Sequence, residues 1–219
     1  MRTNAGRYES WPALVELDKA AFVEHLDGLM DVYSTAMRVP AFQLPGRRAV
    51  MDAHVLNPAF RAVAVTGPAS VLGGTRNAEA VIAFAYGFHG RRGQWWHDLV
   101  RSALTVASGS GIAGAWLDDS FEVAEVHVRP EFQKRGIGRR MLYRLTAGLP
   151  ERTAVLSTMD DDTPARHLYG SLGFTDLLTG YQFTGVPESY AVMGAALPLL
   201  SAGPGGTGLP AGRPPSPRY

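Results

Sequence analysis

Six residues, Gln133-Lys134-Arg135-Gly136-Ile137-Gly138, join a predicted strand to a predicted helix and carry two glycines one residue apart. Glycine lets the backbone come close to a ligand with successive N–H groups pointing outward, a geometry that binds anions. The helix that follows adds its unpaired N–H donors and the positive end of its dipole, and together these suit a pyrophosphate. Arg129, Lys134, Arg135, Arg139, Arg140 and Arg144 cluster around the turn, so a ligand with several phosphate charges fits better than a neutral one. The alternative reading is a glycine-tightened loop beside a solvated basic helix. A Walker loop would need Gly-Lys-Ser/Thr after a longer glycine spacing, and a Rossmann fingerprint a small residue where Met141 stands; neither is present.

The elements that position this turn can be read from periodicity. Phe121 to Val128 is β-rich and stops before Pro130, and a helix from about Gly138 to Leu149 follows with Met141, Leu142 and Leu145 on its apolar face. The same order recurs: Ala154 to Thr158 reads as a strand, Pro164 to Leu172 as a helix opened by Asp162 and Thr163 and closed by Gly173, and Phe174 resumes extended structure. Upstream, Leu14 to Leu17 reads as a short strand, Phe22 to Arg38 as one long helix stopped by Pro40, and Gly46 to Leu56 as a second helix. Phe60 to Val65 and Ala80 to Phe88 read as an antiparallel pair. Between Arg91 and Ser120 lies an interruption too long for a hairpin loop, with a helix at Gln94 to Leu104 and a Gly- and Ser-rich connection at Ser108 to Gly114. Strand alternation sends Glu122 to one face with Ala124, Val126 and Val128, and Glu125 to the other with Val123 and His127.

Composition narrows the chemistry. The 219 residues, 46% hydrophobic, can bury a full core. A formal net charge of +1 gives no overall field of the kind that draws a protein to nucleic acid. Absent cysteine excludes disulfides, thiolate metal sites and an acyl-cysteine intermediate, and His54, His89 and His97 form no metal-binding pattern, so no metal is expected. Met1 to Ser10 lacks an apolar signal core and Tyr190 to Leu200 is too short to span a bilayer, so a soluble cytoplasmic protein without a membrane partner is expected. The Pro- and Gly-rich stretch 201–219 is expected to be a disordered tail.

The run Glu122-Val-Ala-Glu-Val-His-Val-Arg-Pro-Glu-Phe-Gln-Lys-Arg-Gly-Ile-Gly138 resembles motif A of the GNAT (GCN5-related N-acetyltransferase) superfamily, whose signature is Arg/Gln-x-x-Gly-x-Gly/Ala. Gln133, Gly136 and Gly138 fill those positions. Asp162-Thr-Pro-Ala-Arg-His-Leu-Tyr-Gly-Ser-Leu-Gly-Phe174 resembles motif B, with Asp162 where Asn is usual. The two motifs stand in the family's order and spacing.

The resemblance implies an α/β (α+β) GNAT fold: a mixed, mostly antiparallel twisted sheet of about six or seven strands flanked by about four helices. It would fill 1–200, with 91–120 inserted between the third and fourth strands. It also implies acetyl-CoA, or another acyl-CoA, as co-substrate. The turn amides over Gln133, Lys134, Arg135, Gly136, Ile137, Gly138 and Arg139 would hold the pyrophosphate. The strand backbone of Val126, His127 and Val128 would pair with the pantetheine arm, as in β-augmentation.

Acyl transfer to an amine needs a base, a place for the oxyanion and a proton for the departing thiolate. By family position Glu122 is the first choice of base and Glu125 the second; the alternative is that either carboxylate pairs with an arginine of the basic helix or of Arg91-Arg92. The Val126 N–H would meet the oxyanion. Tyr169 matches the tyrosine that protonates the CoA sulfur, a phenol of pKa about 10 serving a thiolate; its alternative is an aromatic core contact. Trp95 and Trp96 are candidates to roof an acceptor pocket, the alternatives being a dimer contact or packing onto the core. The expected acceptor is a primary amine of a small molecule or a protein, the expected assembly a monomer or homodimer. The rival function is a GNAT-fold acyl-CoA-binding sensor without turnover.

Overall fold

The computed structural model describes residues 12–74, 79–185 and 187–200. The expected tail beyond residue 200 lies outside them. One seven-stranded sheet organises the chain. Its strands are β1 Ala13–Leu17, β2 Arg61–Pro68, β3 Glu79–Gly90, β4 Ser120–Val128, β5 Thr153–Met159, β6 Thr175–Tyr181 and β7 Tyr190–Ala196, in the spatial order β1-β2-β3-β4-β5-β7-β6. Every pairing is antiparallel except β4 with β5, as the mixed-sheet expectation has it. Seven α-helices cover it: α1 Lys19–Glu24, α2 Leu26–Met37, α3 Leu44–His54, α4 Trp95–Ser108, α5 Ser110–Leu117, α6 Ile137–Thr146 and α7 Pro164–Gly170.

Three apolar clusters place these helices. On one face α6 and α7 bury Met141, Leu142, Leu145 and Tyr169 against Phe121, Val123, Ala154 and Leu156. On the other face α1 to α3 bury Phe22, Leu26, Leu29 and Met51 against Phe84, Tyr86 and Phe88. The third cluster sets Val100, Leu104, Ala113, Trp116 and Leu117 of α4 and α5 on Val155 and Val192. Val155 is the register partner of Glu122, so α4 and α5 share the face of α1 to α3, one group over each half of the sheet. Gly194 of β7 makes room for this packing, since a Cβ there would lie 2.8 Å from the Trp116 ring.

Several local expectations change. The predicted helix from Phe22 to Arg38 is two helices, divided at His25, whose ring Nδ1 bonds the Ala21 carbonyl. The predicted Ser108 to Gly114 connection is mostly helix α5: Gly109, at φ +89°, turns the chain, and Ile112, Ala113, Trp116 and Leu117 then fall at helical spacing and pack. Thr163 rather than Asp162 caps α7, its hydroxyl accepting from the Arg166 N–H, while Asp162 pairs with His167.

Candidate active site

The strands β4 and β5 hold together only where Ser120, Phe121 and Glu122 pair with Thr153, Ala154 and Val155. Beyond those pairs the strands diverge. The opening is lined by Val123, Val126 and Val128 on one side and Leu156, Ser157 and Thr158 on the other, and it continues into a cleft of about 1700 Å³. That exceeds the usual range for a single small ligand, roughly 300–1000 Å³. The cleft passes from the α6 turn, through the opening, to the gap between the α1 to α3 group and the α4–α5 pair.

At the centre, strand alternation fails in a way that matters. Phe84, Tyr86 and Phe88 all face α1 to α3, and their partners across the ladder are His127, Glu125 and Glu122. Tyr86 and Phe88 are two positions apart but their partners are three, so Ala124 is an extra residue and β4 bulges there. The expectation that Glu122 and Glu125 occupy opposite faces is thereby corrected. Both carboxylates and His127 share the face of α1 to α3, whereas Val123, Val126 and Val128 pack on the α6 side. Gly87 lies opposite the bulge, where a Cβ would meet the Glu122 carbonyl oxygen at 2.3 Å and the Phe121 ring at 2.4 Å. Only glycine fits.

The two carboxylates have opposite surroundings. Glu122 is 6% exposed and, among the described residues, makes no ion pair and leaves Oε2 buried without a hydrogen-bond partner. Burial pushes its carboxyl up to about 8. Burial acts on Glu125 in the same sense, but the hydrogen bond and charge of His127 and the charge of Arg47 outweigh it and hold Glu125 below the usual carboxylate range. Arg47 Nη1 lies 2.8 Å from Glu125 Oε1, and His127 Nε2 bonds Oε2. Glu125 therefore does pair with an arginine, one contributed by α3 rather than by α6 or Arg91-Arg92. His54 Nδ1 sits 3.1 Å from the Tyr86 hydroxyl, and its pKa is lowered by burial despite the Glu125 charge.

At the α6 end of the cleft, Lys134 and Gly136 adopt left-handed backbone, φ 59° and 75°, and α6 starts directly after them. Gln133 donates from Nε2 to the Val128 carbonyl at 3.0 Å, tying the turn to the strand. The two glycines serve different ends. A Cβ on Gly136 would meet nothing within 4 Å, so its conformation is what requires glycine; a Cβ on Gly138 would come 2.9 Å from Leu168, so there glycine permits α6 and α7 to approach. Arg139 bonds Ser171 through Nη2 and keeps Nη1 buried without a partner among the described residues. The basic cluster is smaller than its sequence implies. Arg129 is buried against the Val81 carbonyl and Asp31, and Arg144 pairs with Glu16. Lys134, Gly136, Ile137, Gly138 and Arg139 all line the cleft, whereas the Arg135 guanidinium lies over the Phe132 ring and bonds the Glu131 carbonyl.

Tyr169, on α7, lines the cleft with its ring 5.7 Å from Phe174, so it is at once a core contact and a cleft residue. Burial, then the Glu125 charge, raise its pKa well above that of a free phenol. On the opposite bank Trp96 donates from Nε1 to Ser157 Oγ at 3.2 Å, and Trp95 stands 65% exposed beside Phe183. No cluster of side chains among the described residues could hold a metal ion, and no described helix is long and apolar enough to cross a membrane.

Residues 78–174 match the profile of the Acetyltransferase (GNAT) family. The chain is also 33% identical to the GCN5-like protein acetyltransferase Rv2170 of Mycobacterium tuberculosis, over 85% of this chain and 98% of that one. The chain belongs to the GNAT acetyltransferase family. Solved structures carry the same fold at lower identity. Arabidopsis thaliana NAA60, in complex with a bisubstrate analogue, is 16% identical with a TM-score of 0.57, covering 84% of this chain and 99% of its own. YncA of Salmonella typhimurium, with its cofactor acetyl-CoA, is 18% identical with a TM-score of 0.54, covering 90% and 100%.

Within this GNAT fold, Arg47, His54, Tyr86 and Gly87 are the cleft and bulge residues that motif reading missed. Arg47 reaches Glu125 across 78 positions of chain, a contact that no local spacing announces. Gly87, standing alone in an apolar β run, is the signal that could have exposed the bulge. Replacing Gly136 by alanine is expected to cost about 1–2 kcal/mol of left-handed backbone strain. It should weaken CoA binding about tenfold in a calorimetric titration while leaving the α6 core intact.

Proposed function

We propose that this protein transfers an acetyl group from acetyl-CoA directly to a primary amine of a small molecule or a protein, with Glu122 as general base. The observation that carries the reading is Glu122 itself, a buried carboxyl raised to about 8 with an unpartnered oxygen beside the β4–β5 opening. A base of that strength takes a proton from a reacting amine near neutral pH far better than an ordinary carboxylate does. Glu125, held ionised by its partners, is the weaker base and serves to orient Arg47 and His127.

The phosphate end fits the co-substrate. The left-handed turn at Gly136, the start of α6 and the free Nη1 of Arg139 suit the pyrophosphate, with Gln133, Lys134, Ile137 and Gly138 around it. The diverging β4 offers backbone at Val126, His127 and Val128 for an extended amide chain, and the Val126 N–H is the oxyanion donor. In the transfer the amine nitrogen bonds to the acyl carbon as the carbon–sulfur bond breaks. The amine proton passes to Glu122, and the thiolate takes a proton from Tyr169, which its raised pKa keeps protonated until that moment. Trp95 and Trp96 wall the acceptor side.

The test is release of CoA thiol from acetyl-CoA across a panel of primary amines, read beside calorimetric binding of CoA. Transfer to at least one amine is expected. Tight CoA binding with no transfer to any acceptor would leave a binding module instead. Tyr169→Phe is expected to lower kcat about 10²-fold with CoA affinity unchanged; full turnover in that variant would reduce Tyr169 to its packing against Phe174.

A further inference from the structure

The acceptor half of the cleft narrows the class of amine, an inference that rests on the transfer reading above. Four large hydrophobic side chains stand exposed on its border: Met37 at 48%, Phe42 at 79%, Val50 at 40% and Trp95 at 65%. They come from both banks. Met37, Phe42 and Val50 belong to α2, the turn after it and α3, whereas Trp95 opens α4 on the far side, its ring 5.9 Å from Phe183. Apolar surface facing itself across a cleft gains most from a ligand that is apolar in the same place.

The charges point the same way by their scarcity. Glu122 and Glu125 are the only carboxylates lining the cleft among the described residues. Glu122 is taken up by the transfer, and Glu125 is already paired with the Arg47 guanidinium and hydrogen-bonded to His127. An acceptor with a second or third ammonium group needs a carboxylate for each when it leaves water. This wall offers none, and it presents the half-exposed guanidinium of Arg47.

We propose that the acceptor is a monoamine bearing an aryl or branched alkyl arm within a few bonds of the nitrogen, with the arm held between Phe42 and Trp95. Polyamines, aminoglycosides and Lys- or Arg-rich peptides are poor acceptors. The same chemistry occurs in free arylalkylamines and in the N-terminal amine of a peptide that begins with an apolar residue. The assay therefore compares 2-phenylethylamine, a short peptide beginning with phenylalanine, spermidine and kanamycin, each with acetyl-CoA.

One of the first two is expected to exceed spermidine and kanamycin in kcat/KM by at least 100-fold, and the better of them identifies the source. Trp95→Ala and Phe42→Ala are expected to raise its KM about tenfold without changing KM for acetyl-CoA, whereas Val106→Ala on the exposed far end of α4 changes neither. A kcat/KM for spermidine or kanamycin equal to or above that of the apolar amines overturns the proposal. If no amine is turned over, the transfer reading fails, and tryptophan fluorescence titration with CoA present decides this one separately. Tighter binding of 2-phenylethylamine than of spermidine sustains it, and the reverse order removes it.

Discussion

Glu122→Gln is expected to lower kcat by about 10²–10³-fold, or roughly 3–4 kcal/mol of transition-state stabilisation, with the affinity for CoA unchanged. The amide is nearly the same size as the carboxyl and accepts no proton. Because the base works only when ionised, the activity of the parent protein should climb with pH through about 8, and the variant should lose that step while Glu125→Gln retains it. The same substitution carries a stability signature of defined sign. The folded state holds the Glu122 proton up to about pH 8, whereas the unfolded chain releases it near 4.5. The stabilisation this gives the protonated form is fully present below 4.5 and is lost as pH rises toward 8. Glutamine has no such loss, so Glu122→Gln should match the parent near pH 4.5 and exceed it by a few kcal/mol at pH 9. A melting-temperature difference that does not grow with pH would place Glu122 in ordinary solvated surroundings and remove the basis for its role.

Gly87→Ala is the substitution expected to cost most in stability, about 3 kcal/mol or more in chemical denaturation. Neither of the atoms it would strike can swing aside. One is the backbone carbonyl oxygen of Glu122 and the other belongs to the fully buried Phe121 ring. Relief requires β3 and β4 to separate at the bulge or the bulge to move, and either displaces Glu122 from its place beside Glu125. Activity should fall with stability even at a temperature where the variant remains folded. A variant of parental stability and activity would mean that the ladder tolerates a different register there.

Much of the fold was legible because local patterns decide it. Gly136 and Gly138, the helix behind them and the recurrence around Tyr169 are short-range signals, and the structure sets them side by side on the α6–α7 wall of one cleft. What escaped the sequence follows from longer-range physics. A bulge adds one residue to one strand and inverts the facing of everything beyond it, so the period-2 reading that paired Glu122 with Val126 and Val128 held only as far as Ala124. Helix α5 was hidden by Ser110, Gly111 and Gly114, residues of low helix propensity, and forms because Trp116 and Leu117 find an apolar floor at Val155 and Val192. Arg129 and Arg144 look like phosphate ligands in the chain and are spent instead on Asp31 and Glu16. Charge near a motif is not charge at the site.

The short contact between β4 and β5 has a mechanical meaning. Three residue pairs form a seam between two half-sheets, β1 to β4 and β5 with β7 and β6, each carrying its own helices on the face opposite α6 and α7. A molecule lying along the gap would act as a splint, bonding to both half-sheets and limiting their relative movement. The stability of the protein would then track the concentration of whatever fills the gap, rising by RT ln(1 + [L]/Kd) for a ligand that binds the folded state alone. The carboxylate pair sits where the seam ends, so the part of the molecule least braced by its own chain is the part that holds the proposed base.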